Sequence, residues 1–318
     1  MKTNLIYILG MMCLSGTVSA QTTVNYTEFE QKVLDYSQTL KQSVSQRTAM
    51  QKAMKAAKTA FFPAVDATGS YQYRINKYDM DFGGMAVPME HDSYSAEVGV
   101  VQPIYAGGSI YHTYKASQIQ SQIADKSVDL TTDNLIYAAE ASYWGTAAQK
   151  EMYKTMCQYV EIISQLTKVL QDKYDDGYIS KTDLIQMQTR LKEAELQRSS
   201  SYQSYQIALQ NMNVLMGLEP DKEVGLVDSI FVELPLPAYV GADAALNVRP
   251  DYAISQLDVD YQKRQVKLAA AKYNPSLSIG FKETWGTQML NISGETMFNS
   301  NVYASVKLPL FHWGARFK

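Results

Sequence analysis

The sequence predicts an α+β membrane protein in which long antiparallel coiled-coil helices are joined to strands of a transmembrane β-barrel wall. Three observations predict it. One passage is written twice, as AMKAAKTAFFPAVDATGSYQYR at residues 53–74 and QVKLAAAKYNPSLSIGFKETWG at residues 265–286. Each copy runs from an alanine-rich helical stretch through a proline into a strand, and a second strand follows. The strands alternate polar and apolar residues with period two, as a half-buried or barrel strand must. Between the copies lies a long helical hairpin broken once, around Gly177. A repeat period of about 210 residues is too long for a solenoid and indicates one structural half made twice.

The bulk properties narrow the classes. The formal net charge is −3, which gives no basic balance for a nucleic-acid partner. The 23 tyrosines suit boundaries where one end of a ring is apolar and the other wet. Residues 1–20 read as a signal peptide: Lys2, an apolar run from Leu5 to Leu14, and Val18-Ser19-Ala20 before Gln21. The run is shorter than the about 20 residues a spanning helix needs. Met11 and Met12 stand before Cys13 where a lipoprotein signal requires a small residue. Cys157 is then the only cysteine of the mature chain, so no internal disulfide is expected. No later stretch is apolar enough to cross a membrane as a helix, so any crossing is by strands.

Taken in order, Thr27-x-x-Glu30 reads as a capping box that opens a helix over residues 28–62. Pro63 ends it, because the residue before a proline is pushed out of helical geometry. In the first strand Val65, Ala67, Tyr71 and Tyr73 oppose Asp66, Thr68, Ser70, Gln72 and Arg74. Its partner sets Tyr94, Ala96, Val98 and Val100 against Ser95, Glu97 and Gly99. In the second copy Leu277, Ile279 and Phe281 oppose Ser278, Gly280 and Lys282, and Val302, Ala304, Val306 and Leu308 oppose Tyr303, Ser305 and Lys307. Alternation alone fits a soluble sheet with one wet face as well as a barrel wall; the export signal favours the barrel. Residues 79–92 and 286–299 read as mobile outer loops, with His91 exposed in the first.

A helix follows Gly108 and reaches about residue 173; its about 65 residues span roughly 95 Å. Small residues form its early seam (Ala138, Ala141, Gly145, Ala148), and Met152, Met156, Tyr159, Ile163, Leu166 and Leu170 form the later one. Gly177 supplies the helix stop, and Ser180 or Thr182 caps the return. The returning helix keeps a three–four spacing from Leu184 through Met187, Leu191, Ala194, Arg198, Ser201, Tyr205, Ala208 and Met212 to Leu215, giving an antiparallel coiled-coil hairpin. It and the helix before Pro63 are about 35 residues each, so end to end they match the single long helix. Residues 218–241, with Pro220, Pro235 and Pro237, form a connector. A helix from Ala242 to Asn274 follows, with Arg249-Pro250-Asp251 in its first turns. The organisation is thus a first repeat over 21–217, the connector, and a second repeat over 242–318.

Chemistry is sparse. His91, His112 and His312 are widely spaced, and there is no paired metal-ligand motif, phosphate loop or nucleophile elbow. No catalytic residue, cofactor or metal is expected. Met152, Met156 and Met187 sit at seam positions and read as core.

In these features the chain resembles the TolC outer-membrane efflux protein family. The matching residues are the alanine-rich helices ending at Pro63 and Pro275, Gln102-Pro103-Ile104-Tyr105 with Gly107-Gly108, Leu308-Pro309-Leu310-Phe311 with Gly314, Arg249-Pro250-Asp251, and Gly177-x-x-Ser180-x-x-Asp183-Leu184. The resemblance implies a homotrimer whose protomers each give four strands to a shared 12-stranded barrel and whose helices form a periplasmic α-barrel. It implies a passive export duct in the outer membrane, in contact with its lipid, a periplasmic adaptor protein and an inner-membrane transporter, for small molecules or proteins. The hairpin tip, Gly177, Ser180, Asp183 and Leu184, would dock the adaptor. Asp66, Gln72, Arg74, Glu97, Lys282 and Lys307 would face the barrel lumen, and Gly107, Gly108 and Gly314 would make the strand-to-helix turns. Tyr71, Tyr73, Tyr94, Phe281, Trp285 and Trp313 suit interfacial girdles. The second copy stops where the first begins its longest helix, so a truncated sequence is expected. The alternative is a periplasmic adaptor, which also joins a signal peptide to a helical hairpin but flanks it with small soluble β-domains.

Overall fold

The structure is a computed structural model that describes residues 22–75, 79–88, 91–231, 239, 241–287 and 296–310. The signal peptide, Pro235, Pro237, His312, Trp313 and Gly314 lie outside the described residues. In chain order the elements are β1 (Thr22–Val24), α1 (Tyr26–Tyr36), α2 (Gln38–Thr59), β2 (Ala64–Tyr73), β3 (Asp79–Phe82), β4 (Met85–Pro88), β5 (Asp92–Ala106), α3 (Ser109–Asp175), α4 (Lys181–Leu215), β6 (Val224–Leu226), α5 (Ala242–Val248), α6 (Pro250–Ala271), β7 (Ser276–Thr287) and β8 (Thr296–Lys307). The chain divides into two compact units that cut across the sequence repeat: residues up to 40 with 131–239, and residues 41–130 with 240–318.

The first unit is helical and closes around one core. Val24, Phe29 and Val33 from its start meet Ala139, Tyr143 and Ala147 of α3, Leu209 and Met212 of α4, and Val224 and Leu226 of β6. β1 and β6 pair in parallel, Thr22 opposite Val224 and Val24 opposite Leu226. The connector thus supplies a strand, which three-residue segments without periodicity do not announce. Tyr143 is fully buried. Its hydroxyl lies 2.8 Å from Asp228 Oδ2 and 3.1 Å from the Val24 carbonyl, and the same carboxylate oxygen accepts from the Tyr26 amide at 2.7 Å. Asn213, also fully buried, donates to the carbonyls of Pro220 and Lys222 and ties down the chain leaving α4.

Four expectations are corrected here. Asn25, not Thr27, caps the first helix, by accepting from the Glu28 amide, and that helix is split at Ser37 into α1 and α2. Residues 242–274 likewise form two helices, because Arg249 takes extended geometry ahead of Pro250. The early seam of α3 is displaced: Ala138, Ala141, Gly145 and Ala148 are exposed, while Ala139, Tyr143, Thr146 and Ala147 are buried. The later seam is half right. Met156, Ile163 and Leu170 are partly buried, but Met152, Tyr159 and Leu166 are exposed, and Val160 is the buried residue. Tyr153, missed by the heptad reading, packs its ring 5.1 Å from that of Tyr202 on α4. The buried or partly buried stripe runs through Tyr153, Met156, Val160, Ile163, Thr167 and Leu170, one position round from Met152, Tyr159 and Leu166. On α4 the expected seam is buried or partly buried apart from Arg198.

The second unit holds a four-stranded antiparallel sheet in the order β2-β5-β7-β8. The first strand pair of one repeat copy lies beside that of the other, through β5 and β7. A bulge at Ile104, between the Pro103–Ser278 and Tyr105–Leu277 pairs, absorbs the Gln-Pro end of β5. Residues 79–88, expected as loop, form the β3–β4 hairpin with Phe82 opposite Met85. His91, expected to be solvated, stacks on Tyr73 with ring centroids 5.5 Å apart, and its Nδ1 lies 2.9 Å from the Arg74 carbonyl. At the other end of the sheet, Gly107 turns the chain from β5 into α3. Its φ is +64°, and a Cβ there would lie 2.6 Å from the Ala271 carbonyl oxygen. Asn274 donates to the Gly107 carbonyl, so the turn after β5 is bonded to the turn before β7.

The buried hydroxyls set the alkaline behaviour of the helical unit. Burial, then the Glu30 carboxylate, pushes Tyr26 up to about 12; burial, then the hydrogen bond to Asp228, also pushes Tyr143 up. Both folded-state values lie above the ordinary value of 10.0. The contribution of Tyr26 is therefore complete below pH 10 and lost as pH rises through 12, and that of Tyr143 is lost in the same direction as pH rises. Denaturant unfolding followed by Trp144 fluorescence is expected to show this loss. Tyr143→Phe is expected to cost about 1–3 kcal/mol at pH 7 and to show a smaller alkaline loss.

Candidate functional site: a two-faced sheet and a capped helical tip

Directly opposed residues of an antiparallel pair project to the same face of the sheet. The registers therefore sort the side chains of the four strands into two sets. Asp66 lies opposite Gly99, Thr68 opposite Glu97, and Gln72 opposite Ser93. Gly99 lies opposite Lys282, and Lys282 opposite Asn301; Ser276 lies opposite Lys307. One face thus carries Asp66, Gln72, Glu97, Lys282 and Lys307, five of the six residues expected to share it. Glu97 and Lys282 form an ion pair on it. Arg74 falls one residue past the end of β2, with its amide on the His91 carbonyl. The same face also carries Tyr303, whose ring covers Gly280 so closely that a Cβ there would lie 2.4 Å from Cζ.

The opposite face is apolar and uncovered. Val65 is 67% exposed, Tyr71 68%, Val302 77% and Val306 63%. Its aromatic residues gather at the end of the sheet away from α3 and α6. Tyr71 lies opposite Tyr94, the Tyr94 and Trp285 rings are 5.5 Å apart, and Phe298 lies 6.5 Å beyond Trp285. Of the residues expected in girdles, Tyr71, Tyr73, Tyr94 and Trp285 lie at this end, and Phe281 sits deeper in the apolar face. One polar pair interrupts the face: Ser300 donates to Glu283 across β7 and β8. Alternation counts missed it, because a single carboxylate in an apolar series looks like noise. A sheet polar on one side and broadly apolar on the other, with the apolar side uncovered, suits a wall between water and lipid. Among the described residues, no helix is long and apolar enough to cross a membrane.

The helical unit carries the second candidate site. α3 ends at Asp175 and α4 begins at Lys181. Gly177 turns between them with φ +78°. Ser180 caps α4 through a capping box: its Oγ accepts from the Asp183 amide while the Asp183 carboxylate accepts from the Ser180 amide. Leu184 is only 5% exposed and packs within the hairpin. Its burial fits it to support the tip from beneath. Tyr178, which sequence reasoning passed over, is 80% exposed. Its signal was available: an aromatic residue between a helix stop and a helix cap has no helix partner to bury it.

The family model for outer membrane efflux proteins matches residues 30–218. The chain belongs to this family. The family is one of the outer membrane, as the resemblance to the TolC family implied. Among solved structures, it is similar to CusC, a transmembrane channel, with a TM-score of 0.76 and 13% identity over 92% of this chain and 67% of that one. It is similar to the outer membrane channel CmeC of Campylobacter jejuni with a TM-score of 0.72 and 16% identity, over 92% of this chain and 63% of that one. The outer membrane protein VceC of Vibrio cholerae matches with a TM-score of 0.72 and 14% identity, over 91% of this chain and 69% of that one. The chain spans about two thirds of the length of these channels. At such identities the likeness establishes the fold. Comparison with curated proteins returns no match.

The tip makes a prediction separable from docking. A Cβ at Gly177 meets no atom within 4 Å. Gly177→Ala therefore carries only the backbone penalty of left-handed geometry, about 1–2 kcal/mol of local stability. Amide exchange over residues 176–184 is expected to speed up accordingly, while exchange around Tyr143 stays unchanged.

Proposed function

We propose that this outer membrane efflux protein is the passive outer-membrane duct of a tripartite export system. The observation that carries the proposal is the sheet, which among the described residues has two edges that pair with no further strand, one polar face and one uncovered apolar face. β2 and β8 do not pair with each other. Four strands are too few to close around a conducting lumen, and a strand edge left unpaired in lipid costs several kcal/mol per orphaned group. Pairing β8 of one copy with β2 of the next removes every edge, and three copies make a 12-stranded barrel. The homotrimer is thus the assembly that the strand count and the family both suit.

In that assembly Asp66, Gln72, Glu97, Lys282 and Lys307 face the lumen and Val65, Val302 and Trp285 face lipid. The lumen set mixes both signs, and its Glu97–Lys282 pair is self-neutralising, which suits a wet pore with little charge selection. Gly177, Tyr178, Ser180 and Asp183 form the surface that meets the helical hairpin of a periplasmic adaptor, with Leu184 holding the tip from inside. An inner-membrane transporter supplies the energy. The cargo is small molecules or, in a type I secretion arrangement, proteins. The duct performs no chemistry.

The full-length protein is expected to stay in the outer-membrane fraction after carbonate washing, to run as a trimer in mild detergent, and to form weakly selective pores in planar bilayers. Tyr178→Ala is expected to lower adaptor co-purification while leaving conductance unchanged. Recovery of the protein in the soluble periplasmic fraction, with no conductance, would overturn this reading and return the protein to the adaptor class.

A further inference from the structure

At the end of the sheet nearest its helices, α3 and α6 enclose an open cleft of about 600 Å³. Lys115 and Ile119 line it from α3; Asp260, Lys263, Arg264 and Lys267 line it from α6. Four cations thus face one carboxylate. Lys263 engages that carboxylate at 2.9 Å, and Lys115 donates to the neutral amide of Gln118. Among the described residues, neither Arg264 nor Lys267 has a carboxylate partner. The cleft therefore holds an uncompensated positive field. His112, one turn before Lys115, is held below the usual imidazole range by burial first and then by the nearby charges of Arg264 and Lys267. Opposed cations without counterions repel one another, and a bound anion relieves that repulsion.

The level of the cleft points to the source of the anion. Lys115 lies six residues into α3, about 9 Å along its axis, and Lys267 lies four residues before the end of α6, about 6 Å. Both helices abut the strands through the Gly107–Asn274 contact. The cleft thus begins within about 6–12 Å of the strand ends, the depth of the headgroup layer beside the roughly 30 Å hydrocarbon core. Arg264 presents the planar fork that matches phosphate oxygens, and Ile119 gives the cleft an apolar side for a glyceride backbone.

We propose that this cleft binds a phosphate group, supplied by an acidic phospholipid of the inner leaflet of the outer membrane. The site anchors the helix–strand junction at the membrane surface, and it stands whatever the duct exports.

The test uses the full-length protein in nanodiscs of phosphatidylcholine with and without phosphatidylglycerol, and counts retained lipid by native mass spectrometry. Phosphatidylglycerol is expected to be retained preferentially, with the His112 titration moved upward when it is present. Replacing both Arg264 and Lys267 by Gln is expected to weaken retention about 30-fold, from the effect of removing two basic groups near an anionic surface. Arg264→Lys, which keeps the charge, is expected to lose less and controls for misfolding, together with an unchanged trimer. Inorganic phosphate at millimolar concentration is expected not to displace the lipid. Displacement by phosphate without lipid preference would overturn the lipid source and assign the cleft to soluble anions. Equal retention of both lipids, unaffected by the double replacement, would overturn the site itself.

Discussion

Backbone hydrogen bonding in lipid is the constraint from which the rest follows. The sheet ends in two strands, β2 and β8, whose outer edges pair with no other strand among the described residues. In water such edges would be solvated; in a bilayer they must be paired. The apolar face from Val65 to Val306 requires lipid on one side, and the Glu97–Lys282 face requires water on the other. A closed, shared barrel meets all these requirements together. The duplicated strand pairs fit this logic, since β5 and β7 join one copy to the other within the protomer.

The two compact units divide the labour differently from the sequence repeat. The helical unit has a conventional core, locked by a fully buried tyrosine whose hydroxyl bridges a carboxylate and a strand carbonyl. Losing one partner there leaves buried groups unsatisfied, so the network specifies the packing as well as stabilising it. The strand-bearing unit has little core of its own. Its order comes from strand pairing, the Gly107 turn and helix contacts such as the Gln120 amide on the Tyr261 hydroxyl. Its exposed apolar residues have no cover among the described residues.

Much of this was legible in the residues. Period-two alternation assigned most side chains of β2, β5, β7 and β8 to their face, Arg74 past the end of β2 and the Glu283–Ser300 pair apart, because a strand leaves no other freedom once one residue is placed. Pro63, Gly177 and Ser180 marked their helix ends for local reasons that tertiary structure did not override. The failures share a cause. The α3 seam was displaced because Ala138 and Ala139 look alike to a helical period, and only the bulky Tyr143 decides which face turns inward. The β1–β6 pair, the Asn25 cap and the tie from Asn213 to Pro220 depend on partners distant in sequence or on a single side-chain rotamer. Tyr178 and the Glu283–Ser300 pair are single residues set against their surroundings, which pattern counting averages away.

The central claim is that one face of this sheet meets lipid and the other meets water. Spin labels placed one at a time along β8 from Asn301 to Val306, on a Cys157→Ser background in lipid vesicles, measure this directly. Collision with oxygen, which concentrates in lipid, is expected to peak at 302, 304 and 306. Collision with a water-soluble nickel chelate is expected to peak at 301, 303 and 305. Accessibility to both reagents that rises and falls together along the strand, or nickel access at every position, would contradict the account.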